Sequence, residues 1–271
     1  MLRHGNFVLA ATAVALTLSV PATARAQTGD SATARIDTAA MNVLTRMGTY
    51  LRTLKAFQVK ANVTTEDVME DGEKVQRANR VDLVAERPDK LRVQLASDAK
   101  QRLFLFDGKD FTLFAPRQNF YATVPAPGTI ADLAKMLEDK YDIELPFVDL
   151  FRWGTSEAQT DAITDATVIG PSEVDGVTCE QYAFRQAGLD WQLWVQLGDY
   201  PLPRKIVLTT LTDDARPQHQ SLYTWNLAPS FDDDSFEFTP PKDAKKITIA
   251  DANAMRLKER ANAKKTGGND K

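Results

Sequence analysis

The chain is poor in the residues that build most reaction centres. Its 271 residues include one cysteine, Cys179, and two histidines, His4 and His219. A lone thiol excludes an intrachain disulfide and a cysteine-built zinc site, so Cys179 is expected to act as a small buried hydrophobe. A metal site resting on several histidines is excluded in the same way. Any Ser-His-Asp triad would have to run through His219. That residue follows Arg216-Pro217-Gln218 beside a turn, where nothing resembles a nucleophile elbow, and it is expected to be a solvent-facing strand residue. Glycine-rich phosphate loops are missing, because Gly108, Gly128 and Gly154 stand alone. Positive charge is short too: 33 Lys and Arg against 37 Asp and Glu give a net charge of −4. That balance gives no basic face for nucleic acid and no broad attraction to anionic membranes. Carboxylates are plentiful, so counting does not remove a two-carboxylate hydrolase. Yet Asp232-Asp233-Asp234, Glu66-Asp67 and Asp213-Asp214 read as turn and loop charge, and the spacing of a calcium-binding EF-hand is absent. The expectation is a non-enzyme that holds no metal and no cofactor.

The first 26 residues have the pattern of an export signal. Arg3 gives a positive start, Phe7 to Val20 is an apolar run, and Ala24-Arg25-Ala26 is a small-x-small cleavage site. The run is shorter than a comfortable membrane span. No cysteine follows it, which excludes a lipid-modified N-terminus. Cleavage after about Ala26 predicts a soluble periplasmic protein and leaves 31 basic against 37 acidic side chains, a net charge of −6. The expected organisation is a signal over residues 1–26, one domain over 27–250 and a charged tail over 251–271.

Helical periodicity begins at Ile36. Ile36, Ala40, Val43, Leu44, Met47, Tyr50, Leu51 and Leu54 recur at spacings of three and four, with Asp37 or Thr38 able to cap the start. From Phe57 the pattern is extended, and turns such as Asp71-Gly72 and Asp107-Gly108 divide it into about six strands. Thr129 caps a second helix carrying Ile130, Leu133, Ala134, Leu137 and Tyr141, and Phe147 to Trp153 forms a short third one. About five further strands follow, with a last edge strand near Lys246 to Ile249. A largely antiparallel sheet of this length curls strongly. The predicted fold is β-dominated α+β: a curled, unclosed half-barrel of about ten or eleven strands, with a long N-terminal helix and a helical plug on its concave side.

Two strands fail to alternate. Leu103-Phe104-Leu105-Phe106 and Trp191-Gln192-Leu193-Trp194-Val195 place large apolar groups on both faces. An antiparallel strand with one wet face should alternate, so either both faces are covered or one lines an apolar cavity. A cavity of that kind could hold a lipid chain, each buried CH₂ contributing about 0.8 kcal/mol.

Three segments carry a family resemblance. They are Phe106-Asp107-Gly108-Lys109-Asp110-Phe111 through Phe114-Ala115-Pro116 and Asn119-Phe120-Tyr121, then Trp194-Val195-Gln196 with Pro201-Leu202-Pro203-Arg204-Lys205, and finally Phe236-Glu237-Phe238-Thr239-Pro240-Pro241. In order and spacing, over about Ile36 to Ile249, the chain resembles the LolA/LolB/LppX-like periplasmic carriers. It is more similar still to a family of predicted periplasmic proteins of unknown function within that superfamily. The resemblance implies an unclosed β-barrel with a helical lid and an interior that holds acyl chains in some members. LolA and LolB carry lipoproteins, LppX is associated with lipid transport, and RseB is a precedent for envelope-stress sensing. Unlike LolB and LppX, this chain has no lipidation cysteine.

The expected function is a periplasmic carrier, without catalysis, for a lipid or the acyl chains of a lipoprotein. It is expected to act as a monomer with an inner- or outer-membrane partner protein. The alternative is a protein-interaction or stress-sensing module using the same groove. The expected lining is Leu44, Met47, Leu51, Leu103, Phe104, Phe106, Phe111, Phe114, Tyr121, Leu133, Leu137, Trp191, Trp194 and Trp225.

Overall fold

The structure, a computed structural model, describes residues 35–126, 128–232 and 234–251. The export signal over residues 1–26 and the tail beyond Asp251 lie outside the described residues.

Helix α1 (Thr38–Thr53) starts where Asp37 accepts a hydrogen bond from the Ala39 amide at 2.8 Å. Ile36, expected to open the helix, instead makes an isolated parallel bridge with Ala166. Six strands follow: β1 (Ala56–Val68), β2 (Lys74–Glu86), β3 (Lys90–Ala96), β4 (Gln101–Phe106), β5 (Asp110–Ala115) and β6 (Phe120–Pro125). Helix α2 (Ile130–Met136) is opened by a reciprocal capping box between Thr129 and Asp132 and runs on through a wider turn, Leu137–Tyr141. The short helix expected over Phe147 to Trp153 contracts to α3 (Asp149–Arg152), because Phe147 has a left-handed backbone, φ 59°. Then come β7 (Ile163–Val174), β8 (Val177–Gln186), β9 (Leu189–Gln196), β10 (Pro203–Thr210), β11 (Gln218–Asn226) and the two-residue β12 (Lys245–Lys246). The β7–β8 hairpin turns on Asp175-Gly176, both at positive φ, as a tight two-residue turn requires.

The twelve strands form one curled, unclosed sheet in the order β12-β6-β5-β4-β3-β2-β1-β11-β10-β9-β8-β7. All neighbours are antiparallel except β12 with β6. Two meanders therefore meet at one seam, β1 against β11, with Val59 opposite Trp225 and Val63 opposite Ser221.

The inner face carries two packed clusters. Under α2 and α3, Phe57, Leu83, Val93, Phe104, Phe106 and Phe111 meet Ile130, Leu133, Leu137 and Phe151. Under α1, Leu44, Met47 and Leu51 meet Tyr182, Phe184, Trp191 and Leu193.

The two-faced strands owe their pattern to a second covering layer. Register puts Leu103, Phe114 and Tyr121 on the outer face. The segment after β11 lies over it: the Phe238 ring is 5.4 Å from that of Phe114 and 5.2 Å from that of Tyr121, and Phe236 is buried. On β9, Trp194 also points outward, into a small cluster with Val174, Cys179 and Val207. Its indole N–H donates to Ser172 at 3.1 Å, and Lys205 sits 4.6 Å above the ring. Cys179 is fully buried there, and burial raises its thiol pKa. At β4, then, both faces are covered and neither is open.

Candidate ligand-binding cavity

The open space lies elsewhere on the inner face. A cavity of about 580 Å³ sits between the sheet and the segment 144–153. Val63 and Thr65 of β1, Asn79 and Val81 of β2, and Leu95 of β3 form one side. Leu193 of β9, Pro203, Ile206 and Leu208 of β10, and His219, Ser221 and Tyr223 of β11 form the other. Phe147, Val148, Asp149, Leu150 and Trp153 roof it, with Glu144, Pro146 and Lys100 completing the lining. Strand alternation explains this wall, since each sheet residue named is on the inward register of its strand. Leu95, Ile206 and Leu208 point inward yet stay only half-buried, as apolar groups over a void must. A second depression of about 640 Å³ along Thr123–Val124 and Lys246–Ile249 has only those six residues as lining and is a groove on the sheet edge.

The roof is held under backbone strain. A left-handed φ in a bulky residue such as Phe147 costs on the order of 1–3 kcal/mol and persists only where the surroundings enforce it. Its ring meets Tyr223 edge-on, centroids 5.3 Å apart.

One wall of the cavity is a polar seam. Thr65 Oγ1 lies 3.0 Å from His219 Nδ1, and His219 Nε2 lies 3.2 Å from Ser221 Oγ. The Tyr223 side chain lies next along the same inward register. A neutral imidazole donates through one nitrogen and accepts through the other, so the hydrogens of this chain run in one direction. In either direction one hydroxyl at an end keeps a spare hydrogen. Burial lowers the His219 pKa and raises that of Tyr223. His219 thus faces inward, correcting the expectation of a solvent-facing residue. Ser221 shows 0% of its surface and is bonded to His219, so it orients the imidazole and is not placed to attack a substrate.

Asp149 is the exception among the polar groups. Among the described residues, no donor reaches its carboxylate. Asp149 is exposed and lines the cavity; desolvation raises its pKa, and the charge of Arg152 opposes that shift. Among the described residues, no three His, Cys, Asp or Glu side chains converge as metal ligands.

None of the fourteen residues expected to line a cavity lines this one. Phe104, Phe106, Phe111, Leu133 and Leu137 share the cluster under α2, and Leu44, Met47, Leu51 and Trp191 share the one under α1. Trp225 bridges the two clusters, its indole donating to the Pro203 carbonyl at 2.8 Å. Leu103, Phe114, Tyr121 and Trp194 lie on the outer face, where Tyr121 lines a small pocket with Phe236 and Phe238. The residues missed are Val63, Val81, Ile206, Leu208, His219 and Tyr223. Their sequence signal was the inward alternation of β1, β10 and β11, less conspicuous than the aromatic runs.

Residues 40–250 match the profile of a family described as "Predicted periplasmic protein (DUF2092)". No curated protein matches the chain. The similar solved structures include three with the following values. Lipoprotein LppX from Mycobacterium tuberculosis shares 11% identity over 73% of this chain and 100% of its own, with a TM-score of 0.46. LprF from Mycobacterium bovis shares 15% over 77% and 99%, with a TM-score of 0.46. A LolA superfamily protein from Nitrosomonas europaea shares 10% over 73% and 97%, with a TM-score of 0.36.

Proposed function

The chain belongs to this family of predicted periplasmic proteins, and from that premise we propose that it is a binding protein that carries one amphipathic ligand, a lipid or a single acyl chain, in the cavity beneath segment 144–153. The observation that carries the reading is the partly open, mainly apolar space of about 580 Å³ with a short polar seam on one wall. That size falls among the roughly 300–1,000 Å³ of sites that hold one small ligand, and apolar walls with a few convergent polar groups are what such sites use. It suits one chain better than the several chains of a lipoprotein. A longer ligand would have to part Leu133 and Leu137 from Phe104, Phe106 and Phe111, with which they now pack.

Native mass spectrometry of the protein purified from a periplasm without detergent tests this. The expected result is an adduct that denaturation releases as lipid. Filling the space with Ile206→Trp and Leu208→Trp should remove the adduct while leaving a folded protein. A bare wild-type mass, unchanged after incubation with phospholipid and an acylated peptide, would reject the reading in favour of a protein-interaction module.

A further inference from the structure

Carboxylates outnumber lysines in the cavity lining. Four lining residues can carry charge: Lys100 at the β3–β4 turn, Glu144 and Asp149 in the roof, and His219, which burial keeps neutral. The nearest arginine to Asp149 along the chain, Arg152, is committed elsewhere. Its Nη2 donates to Glu138 at 2.6 Å and its Nε lies 3.7 Å from Glu157. Arg152 acts on Asp149 through its charge alone; among the described residues no donor bonds the Asp149 carboxylate, which lines the cavity.

The surroundings of that carboxylate are aromatic. Phe147, Trp153 and Tyr223 line the same cavity, and the first two flank Asp149 on the roof segment. A carboxylate beside several ring faces is the chemistry that holds an organic ammonium: the rings attract the cation through their π faces, and the carboxylate supplies the opposite charge. An anionic head would meet the two carboxylates Glu144 and Asp149 and those same rings, with Lys100 at the β3–β4 turn as the one lysine in the lining.

Resting on the ligand-binding reading above, we propose that the ligand is an amphipath with an apolar tail and a positively charged nitrogen head, the head seated against Asp149 among Phe147, Trp153 and Tyr223. The tail then lies along Val63, Val81, Ile206 and Leu208.

The test compares three probes with one tail, dodecyltrimethylammonium, dodecanol and dodecanoate, each titrated below its micelle concentration into the full mature chain. Isothermal calorimetry measures affinity, and Trp153 provides a fluorescence check. The wild type should bind the ammonium probe about tenfold more tightly than the other two, a difference of about 1.4 kcal/mol. Asp149→Asn should erase that preference, leaving dodecanol affinity within about twofold, and Asp149→Glu should retain it. Asp149→Asn should also melt at or above the wild-type temperature at neutral pH, so loss of preference cannot be put down to unfolding. Equal binding of all three probes by the wild type, or an ammonium preference that survives Asp149→Asn, overturns the inference and leaves the ligand-binding reading standing. If the wild type takes none of the three, the ligand-binding reading falls and this inference with it.

Discussion

His219 shows how far a single residue can be read from its neighbours. Arg216-Pro217 correctly announced a turn, but closeness to a turn does not decide which face a strand residue takes. Register decides it, and the register here is set by Thr65, 154 positions away in sequence. Burial lowers the His219 pKa below its ordinary 6.5, so the unfolded chain binds this proton more readily than the folded one. Its contribution to stability is thus present above about pH 6.5 and is lost as pH falls through that value towards the folded pKa. The melting temperature should drop between pH 7.5 and 5, and His219→Gln should flatten that slope. Equal slopes for the two proteins would show that His219 does not couple proton uptake to unfolding. Cys179 was easier to read, because a small apolar residue needs only to be enclosed.

Among the elements, α1 was legible almost to its ends, since eight apolar residues at helical spacing leave little freedom. Its contact with the roof was not. A methyl group added at Gly48 would lie 2.4 Å from the Gly154 nitrogen, and Gly154 itself has φ +77°. Helix and roof thus touch backbone to backbone, and Arg52 secures the contact by donating to the Gly154 carbonyl at 2.9 Å. A glycine inside a helix costs about 0.5–1 kcal/mol relative to alanine, so on propensity alone Gly48→Ala would stabilise. The contact reverses that sign. Neither backbone can move cheaply, and Gly48→Ala should destabilise by about 1–3 kcal/mol, measured by denaturant titration, and weaken ligand binding by displacing the roof. A more stable variant would show that the two backbones can separate. No sequence rule pairs two glycines 106 positions apart, and none foresaw the left-handed Phe147 that shortens α3.

At the scale of the whole molecule, the strand pattern revealed both meanders, the edge strand near Lys246 and the sheet's curl, while the pairing of β1 with β11 came only with the structure. The cavity was hidden for the same reason: its walls come from β1–β3, β9–β11 and the roof, which only the assembled sheet brings together. The aromatic-rich strands drew attention instead, yet their second face is sealed by the segment carrying Phe236 and Phe238. Phe238→Asp should therefore leave ligand affinity unchanged, because it lies across the sheet from the cavity. It should lower the melting temperature and promote aggregation by uncovering Phe114 and Tyr121. Weakened ligand binding in a folded Phe238→Asp protein would contradict this separation of the two faces.

The seam also sets an order of events for a chain that is made from its N-terminus. Strands β1 to β6 can pair through successive hairpins alone, and so can β7 to β11. Gln58, however, must wait for Asn226. Until β11 has emerged, one whole edge of the first meander has no partner. Its alternate residues are Lys60, Asn62, Thr64 and Glu66, and polar and charged side chains on an unpaired edge discourage other strands from adding to it. The composition of β1 thus protects the half-made protein as well as fitting the finished one.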